Sequence, residues 1–286
     1  MSFNADDKKI YELFNSQCFL IPRNQRRYVW NKRNWNELFE DISLVVCENF
    51  PSHFIGSIVL KDEGRKNGFS NYTIIDGQQR IITLTILLAS IIYCMKQNNM
   101  EEDYKGTIQY LITKDDKAKD IVMVTSKYHE SLEILIKKII ESNSDVIQKQ
   151  SVSSFIDTSV ICKQDKNIGS AFKYFISRMQ EDKNYIDNPV EYLIKMRNAV
   201  VEISYVSIIS TTEEDSYTIF EILNARGLDL EDYELLKNYI MRYIHPIEDR
   251  DKAKEVWIEM EKSLGNEIKR FINHYTIHKF GYYREI

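Results

Sequence analysis

A β-branched pair, Ile74-Ile75, runs into Asp76-Gly77, and Gln78-Gln79-Arg80 then lead straight into Ile81-Ile82-Thr83-Leu84-Thr85-Ile86-Leu87-Leu88. β-Branched residues favour a strand, an Asp-Gly step favours a turn, and the apolar run that follows is dense enough for a helix buried on every side. The stretch therefore predicts a strand–turn–helix junction whose helix is enclosed by the rest of the fold. Such a junction also suits an anion. The first N–H groups of a helix have no partner within it, and the helix dipole favours negative charge there. An arginine in the first turn adds a planar fork matched to phosphate oxygens.

The same residues have a ligand-free explanation. Asp76 as the N-cap with Gln79 three residues on forms a capping-box pattern, which satisfies the orphan donors by itself. Arg80 is the residue this pattern does not need. A cation in the first turn opposes the dipole by about 0.3–1 kcal/mol unless an anion lies close.

With 286 residues and 43% apolar content, the chain can build a sizeable core. The longest apolar run, 84–95, suits a buried helix, so no membrane partner is expected. The polar, acidic residues 1–7 do not read as a secretory signal. Cys18, Cys47, Cys94 and Cys162 lie far apart with no CxxC pair. That spacing fits reduced thiols, and the expected location is the cytoplasm.

Net charge is −5, which does not favour bulk binding of nucleic acid. Residues 13–36, however, hold no Asp or Glu, and carry Arg23, Arg26, Arg27, Lys32 and Arg33 among Tyr28, Trp30 and Trp35. This stretch reads either as a solvated loop anchored by its aromatics or as a surface for DNA phosphate or a nucleotide. A third motif spans Phe220 to Leu230 and is followed by Leu235-Leu236-Lys237-Asn238. By pattern it is a helix–turn–helix connector, with Asn224 and Arg226 placed to face a ligand. His274 and His278 are four apart on an expected helix, but no third ligand is evident and a surface pair is expected.

Periodicity predicts helices over 6–15, 35–48 (capped near Asn34), 81–95 and 127–141, and strands over 17–21, 53–60, 72–75 and 199–209. Residues 61–71 read as a polar loop and 98–187 as helical in pattern. Asn188-Pro189 opens a helix, and Thr211 or Thr212 opens one ending near Asn224. Further helices are expected over 231–244, 249–263 and 266–280. A few early strands, one late strand and many helices indicate an α+β fold.

Taken in order, IPxxQRxYxW from Ile21, FIGSIVL from Phe54, IIDGQQRxxTL from Ile74 and FxxLNxRGxxLxxxxLLKN from Phe220 resemble the N-terminal domain of GmrSD-type restriction endonucleases, which are type IV and modification-dependent. The resemblance is spread over 19–88 and 217–257. It implies a ParB/sulfiredoxin-like core over 1–97, a variable helical insert over 98–187, and a strand plus helical region completing the domain over 188–286. In that fold a Gly–x–x–Arg turn, here Gly77 to Arg80, binds the phosphates of a nucleoside triphosphate, and its hydrolysis regulates cutting of modified phage DNA. Carried over, Asp76, Gln79 and Arg80 are the catalytic candidates. Asp76 would bind Mg²⁺ or position water, Gln78 or Gln79 would orient water or the γ-phosphate, and Arg80 would clamp phosphate charge. Gln25, Arg26, Gly77, Gln78, Asn224 and Arg226 would bind nucleotide, and Arg23, Arg27, Lys32 and Arg33 would contact DNA. The resemblance also implies a C-terminal HNH-type nuclease domain or a partner subunit, and it is compatible with a homo-oligomer. A DNA-sensing or protein-docking module without hydrolysis is the rival from another class. Nothing in the sequence reads the nucleotide base or the DNA modification.

Overall fold

The structure is a computed structural model that describes residues 3–15, 17–22, 25, 27–48, 52–126, 130–156, 165–212, 214–216, 218–219, 236, 240, 244 and 247–280. The chain divides into two compact units, Ser2–Thr211 and Thr212–Ile286.

The larger unit is α+β. Its strands are β1 (Phe3–Lys9), β2 (Gln17–Ile21), β3 (Phe54–Lys66), β4 (Phe69–Asp76), β5 (Ile112–Lys114), β6 (Asp120–Val122), β7 (Val124–Ser126) and β8 (Ser204–Ser210). Six of them form one mixed sheet in the order β1-β8-β3-β4-β2-β7, and β5 pairs with β6 as a separate ribbon. β3 runs antiparallel to β4 and parallel to β8, while β2 runs parallel to both β4 and β7. The helices are α1 (Ile10–Leu13), α2 (Lys32–Glu48), α3 (Gln78–Gln97), α4 (Glu101–Ile108), α5 (Glu130–Glu141), α6 (Ser144–Lys149), α7 (Val152–Ile156), α8 (Lys166–Glu181), α9 (Lys183–Asp187) and α10 (Pro189–Val201).

Helix α3 is the centre of the core. Every residue from Ile81 to Lys96 is buried, so the helix is enclosed around its whole circumference, as its unbroken apolar run requires. It packs against α4, α5, α6, α8 and α10. The hydroxyls of its buried Thr and Ser residues return to their own helix: Thr83 donates to the Gln79 carbonyl at 2.7 Å, Thr85 to Ile81 at 2.8 Å and Ser90 to Ile86 at 2.8 Å. No buried hydroxyl oxygen in this set is left without a partner, which burial would otherwise penalise. The helix is long and apolar enough to cross a bilayer, but 94% of its apolar window is buried inside the fold.

Several elements differ from the sequence expectation. Residues 3–9 form an edge strand on β8, and only Ile10–Leu13 is helical, where a helix over 6–15 was expected. Residues 61–66 continue β3 and pair with β4 across a register shift, so the expected polar loop shrinks to a turn around Asn67 and Gly68. A Lys61–Glu63 ion pair at 3.2 Å and a Thr73 hydroxyl donating to Glu63 at 2.9 Å stabilise that polar ribbon. The expected strand over 199–209 begins only at Ser204, because Ala199–Val201 belong to the buried stripe of α10. Residues 98–187 supply three short strands as well as helices, and β7 among them completes the sheet edge beside β2. Asn188 caps α10 as expected, accepting from the Glu191 N–H at 3.2 Å with proline in the first turn.

In the smaller unit, α11 (Ile247–Leu264) and α12 (Ile268–Phe280) are joined by a short 3₁₀ turn. Trp257 is buried there among Ile244, Ala253, Met260 and Ile272. The motif at 220–230 lies outside the described residues, as does nearly all of the helix expected over 231–244.

One buried charge ties α3 to α5. The Lys96 ammonium donates to the carbonyls of Ile139, Ile140 and Ser142 at 2.7, 3.1 and 2.6 Å, capping the end of α5, and sits 4.8 Å from the centre of the Tyr104 ring. Burial lowers its pKa to about 8, yet the carbonyls of a helix end favour the charged form. Lys96→Met should lower stability to urea unfolding by about 2–4 kcal/mol, because it strips the carbonyls of a charged donor inside the core. A change within about 0.5 kcal/mol, the range of ordinary surface substitutions, would contradict this role.

Candidate phosphate site at the start of α3

The junction read from the sequence forms at the end of β4. Asp76 is the last residue of the strand, paired with Val59 of β3, and Gly77 turns the chain with φ +89°. Only glycine fits that turn easily. A Cβ at position 77 would stand 3.1 Å from the Ile58 side chain, and the left-handed φ strains other residues. The helix then opens, with Ile81 donating to the Gly77 carbonyl at 3.0 Å.

The capping box expected of Asp76 and Gln79 does not form. The N-cap is Gly77, and no side chain caps the start of α3. Asp76 instead accepts from Arg80, with Oδ2 to Nη2 at 3.0 Å, and the other branch of the guanidinium donates through Nη1 to the Ile55 carbonyl at 3.1 Å. The anion that offsets a cation in the first turn is thus Asp76 itself. Arg80 fits there because residue 56 is glycine: a Cβ on Gly56 would come within 2.5 Å of Nη1. The guanidinium thus approaches the β3 backbone closely at Gly56.

Gln79 serves a different purpose from the one its motif suggests. Its Oε1 accepts from the N–H groups of Val29 and Trp30 at 2.9 and 3.3 Å, and its Nε2 donates to the Arg27 carbonyl at 3.0 Å. Both ends of the amide are spent on the backbone of the segment leading into α2. Gln25 adds a second tie, donating to the Ile75 carbonyl at 2.8 Å. A third lies behind them. Trp35 Nε1 donates to the Tyr28 hydroxyl at 2.8 Å, leaving Tyr28 to donate to Thr83 Oγ1 at 2.8 Å, and Thr83 in turn donates to the Gln79 carbonyl. Burial raises the pKa of Tyr28 well above its ordinary value, so this chain keeps its hydroxyl proton.

The expected residues therefore fall into groups. Asp76, Gly77, Gln78, Gln79, Arg80 and Gln25 come together, with Gln78 and Gln79 buried. Arg27 and Lys32 are exposed near the same segment, and Arg33 is exposed and paired with Glu37 at 2.9 Å. Arg23, Arg26, Asn224 and Arg226 lie outside the described residues. His274 and His278 are both exposed on α12. No cluster of three or more His, Cys, Asp or Glu suited to a metal occurs among the described residues. Sequence reading missed Tyr28, Thr83 and Ile55 as parts of the site; Thr83, one helical turn after Gln79, was the available signal. A cleft of about 810 Å³ lined by Tyr11, Phe14, Tyr110, Met123 and Glu202, among others, shares no residue with the junction.

Gln79→Ala removes its three hydrogen bonds to the 27–30 backbone at once. It should lower stability by about 1–3 kcal/mol and speed tryptic cleavage after Arg27. Unchanged cleavage would mean that Gln79 does not hold this segment.

No match was found among curated proteins. A family model described as "GmrSD restriction endonuclease, N-terminal domain" matches residues 10–241, a span that includes every element of the junction. Membership supports a role in a type IV restriction endonuclease system. The chain belongs to the family of GmrSD restriction endonuclease N-terminal domains.

Proposed function

We propose that the turn from Asp76 to Arg80 holds the phosphates of a nucleoside triphosphate, and that its hydrolysis regulates restriction of modified DNA. The observation that carries this reading is a guanidinium fixed at a helix start that no side chain caps. The backbone N–H groups of Gln78, Gln79 and Arg80 lie in the first turn, where the dipole favours negative charge. Arg80 would stabilise charge on the transferred phosphoryl group, and such electrostatic placement accounts for most of phosphoryl-transfer catalysis.

Asp76 fits the carboxylate of a magnesium site. Mg²⁺ commonly takes one or two carboxylates with substrate phosphates and water, and Asp76 offers one, partly exposed, at the mouth of the turn. When bound, Mg²⁺ supplies neutralisation of phosphate charge. Gln79 belongs to the support of the site, because both ends of its amide already hold the 27–30 backbone. Gln25 supports it likewise from the Ile75 carbonyl. The ParB-like core, the cytoplasmic location and a nuclease domain or partner subunit belong to the same proposal.

With Mg²⁺ present, the protein should hydrolyse at least one of the four NTPs. Asp76→Ala and Arg80→Ala should each lower the rate by about 10²–10³-fold, the usual effect of losing one preorganised charge-stabilising group. If the wild type neither binds nor hydrolyses any NTP, the reading fails.

The exposure of Arg27 and Lys32 favours a DNA-contacting surface beside this site. Arg27→Ala combined with Lys32→Ala should weaken DNA binding and reduce the slope of log affinity against log salt by about 2, roughly one for each phosphate that is no longer neutralised. An unchanged slope would remove both residues from the interface.

A further inference from the structure

We infer that Asp76 and Arg80 form a latch through which a polyphosphate and a divalent cation each favour the binding of the other, an inference resting on the phosphate-site reading above. The guanidinium is not a free cation. Its Nη2 lies 3.0 Å from Asp76 Oδ2, and the two side chains are only 15% and 25% exposed. Shielded in this way, the pair is screened less by solvent and salt than a surface pair.

An incoming polyphosphate therefore meets no net positive charge from this pair. To take Nη2 it must break the bond to Asp76, and it then leaves a carboxylate uncompensated beside several phosphate oxygens. Like charges at such separations repel strongly where solvent is partly excluded. With a divalent cation held by Asp76 there would be no such conflict: the carboxylate would be satisfied and Nη2 would be freed for phosphate. The second branch of Arg80 keeps its bond to the Ile55 carbonyl throughout, so the guanidinium stays in place while one partner is exchanged for another. Gly56 leaves the room for that branch, since a Cβ there would lie 2.5 Å from Nη1.

The cation is equally dependent on the anion. Among the described residues, no cluster of three or more metal-ligating side chains surrounds Asp76. A single carboxylate holds Mg²⁺ weakly until phosphate oxygens join it. Linkage requires each ligand to raise the affinity of the other by the same factor.

The test is calorimetric titration of the full chain with inorganic tripolyphosphate, which removes the question of base identity, in saturating Mg²⁺ and in EDTA. The wild type should bind the probe about tenfold more tightly, or better, with Mg²⁺, within the usual range of coupling between two sites. Asp76→Asn keeps the shape of the side chain but removes its charge. It should bind the metal-free probe more tightly than the wild type does, and lose most of the advantage of Mg²⁺. Equal wild-type affinity with and without Mg²⁺ would overturn the latch and leave the phosphate site standing. So would an Asp76→Asn protein as dependent on Mg²⁺ as the wild type. Absence of wild-type binding to tripolyphosphate and to all four NTPs would overturn both. Equal wild-type affinity would overturn the latch even if the variant fails to fold.

Discussion

The enclosure of α3 is the constraint on which the rest of the larger unit depends. A helix apolar around its whole circumference has no face that can turn to water, so five other helices surround it. Its axis and rotation are then fixed by packing, and so is the position of its first turn. That turn begins where β4 ends, and Gly77 is the only residue between strand and helix. A side chain one helical turn in, Arg80, is thereby aimed back at Asp76 and across to the bulged start of β3. Lys96 at the far end of the same helix closes the arrangement on α5.

The segment that leads into α2 is joined to this rigid helix by side-chain amides and hydroxyls, and Tyr28 and Trp35 beside them are buried in the same core. Gln25, Gln79 and the Tyr28–Thr83 pair each bridge about 50 positions of sequence. Ties of this kind hold a backbone at a defined distance, which is what a site built from two separate segments needs. They also redistribute the roles suggested by the motif. In Asp76-Gly77-Gln78-Gln79-Arg80 the charged residues face one another at the mouth, while Gln79 faces the neighbouring segment and supports it.

Much of this was legible in the sequence where the signal was local. The β-branched pair, the glycine turn and the apolar run fixed β4 and α3, and Asn188-Pro189 fixed the start of α10. The expectation over 6–15 failed because Ile10, Leu13 and Phe14 have helical spacing, whereas the polar residues before them sit on an edge strand. An edge strand needs no apolar alternation, so its pattern is silent. The polar half of β3 was hidden for the same reason. The capping box failed because local spacing cannot show that Asp76 has a guanidinium to bind, or that Gln79 has backbone 50 positions away to hold. Tyr28 and Trp35 were legible only as apolar residues, since a buried hydroxyl chain leaves no trace in hydropathy.

The central claim is that phosphate charge is received at the start of α3. The most direct measurement is a crystal structure of the chain with a non-hydrolysable nucleoside triphosphate and Mg²⁺. The phosphates should lie over the N–H groups of Gln78, Gln79 and Arg80, with Arg80 Nη2 turned from Asp76 to a phosphate oxygen and the Gln79 ties to residues 27–30 intact. A nucleotide seated elsewhere, for instance in the cleft lined by Tyr11 and Tyr110, with the Asp76–Arg80 pair undisturbed, would contradict it.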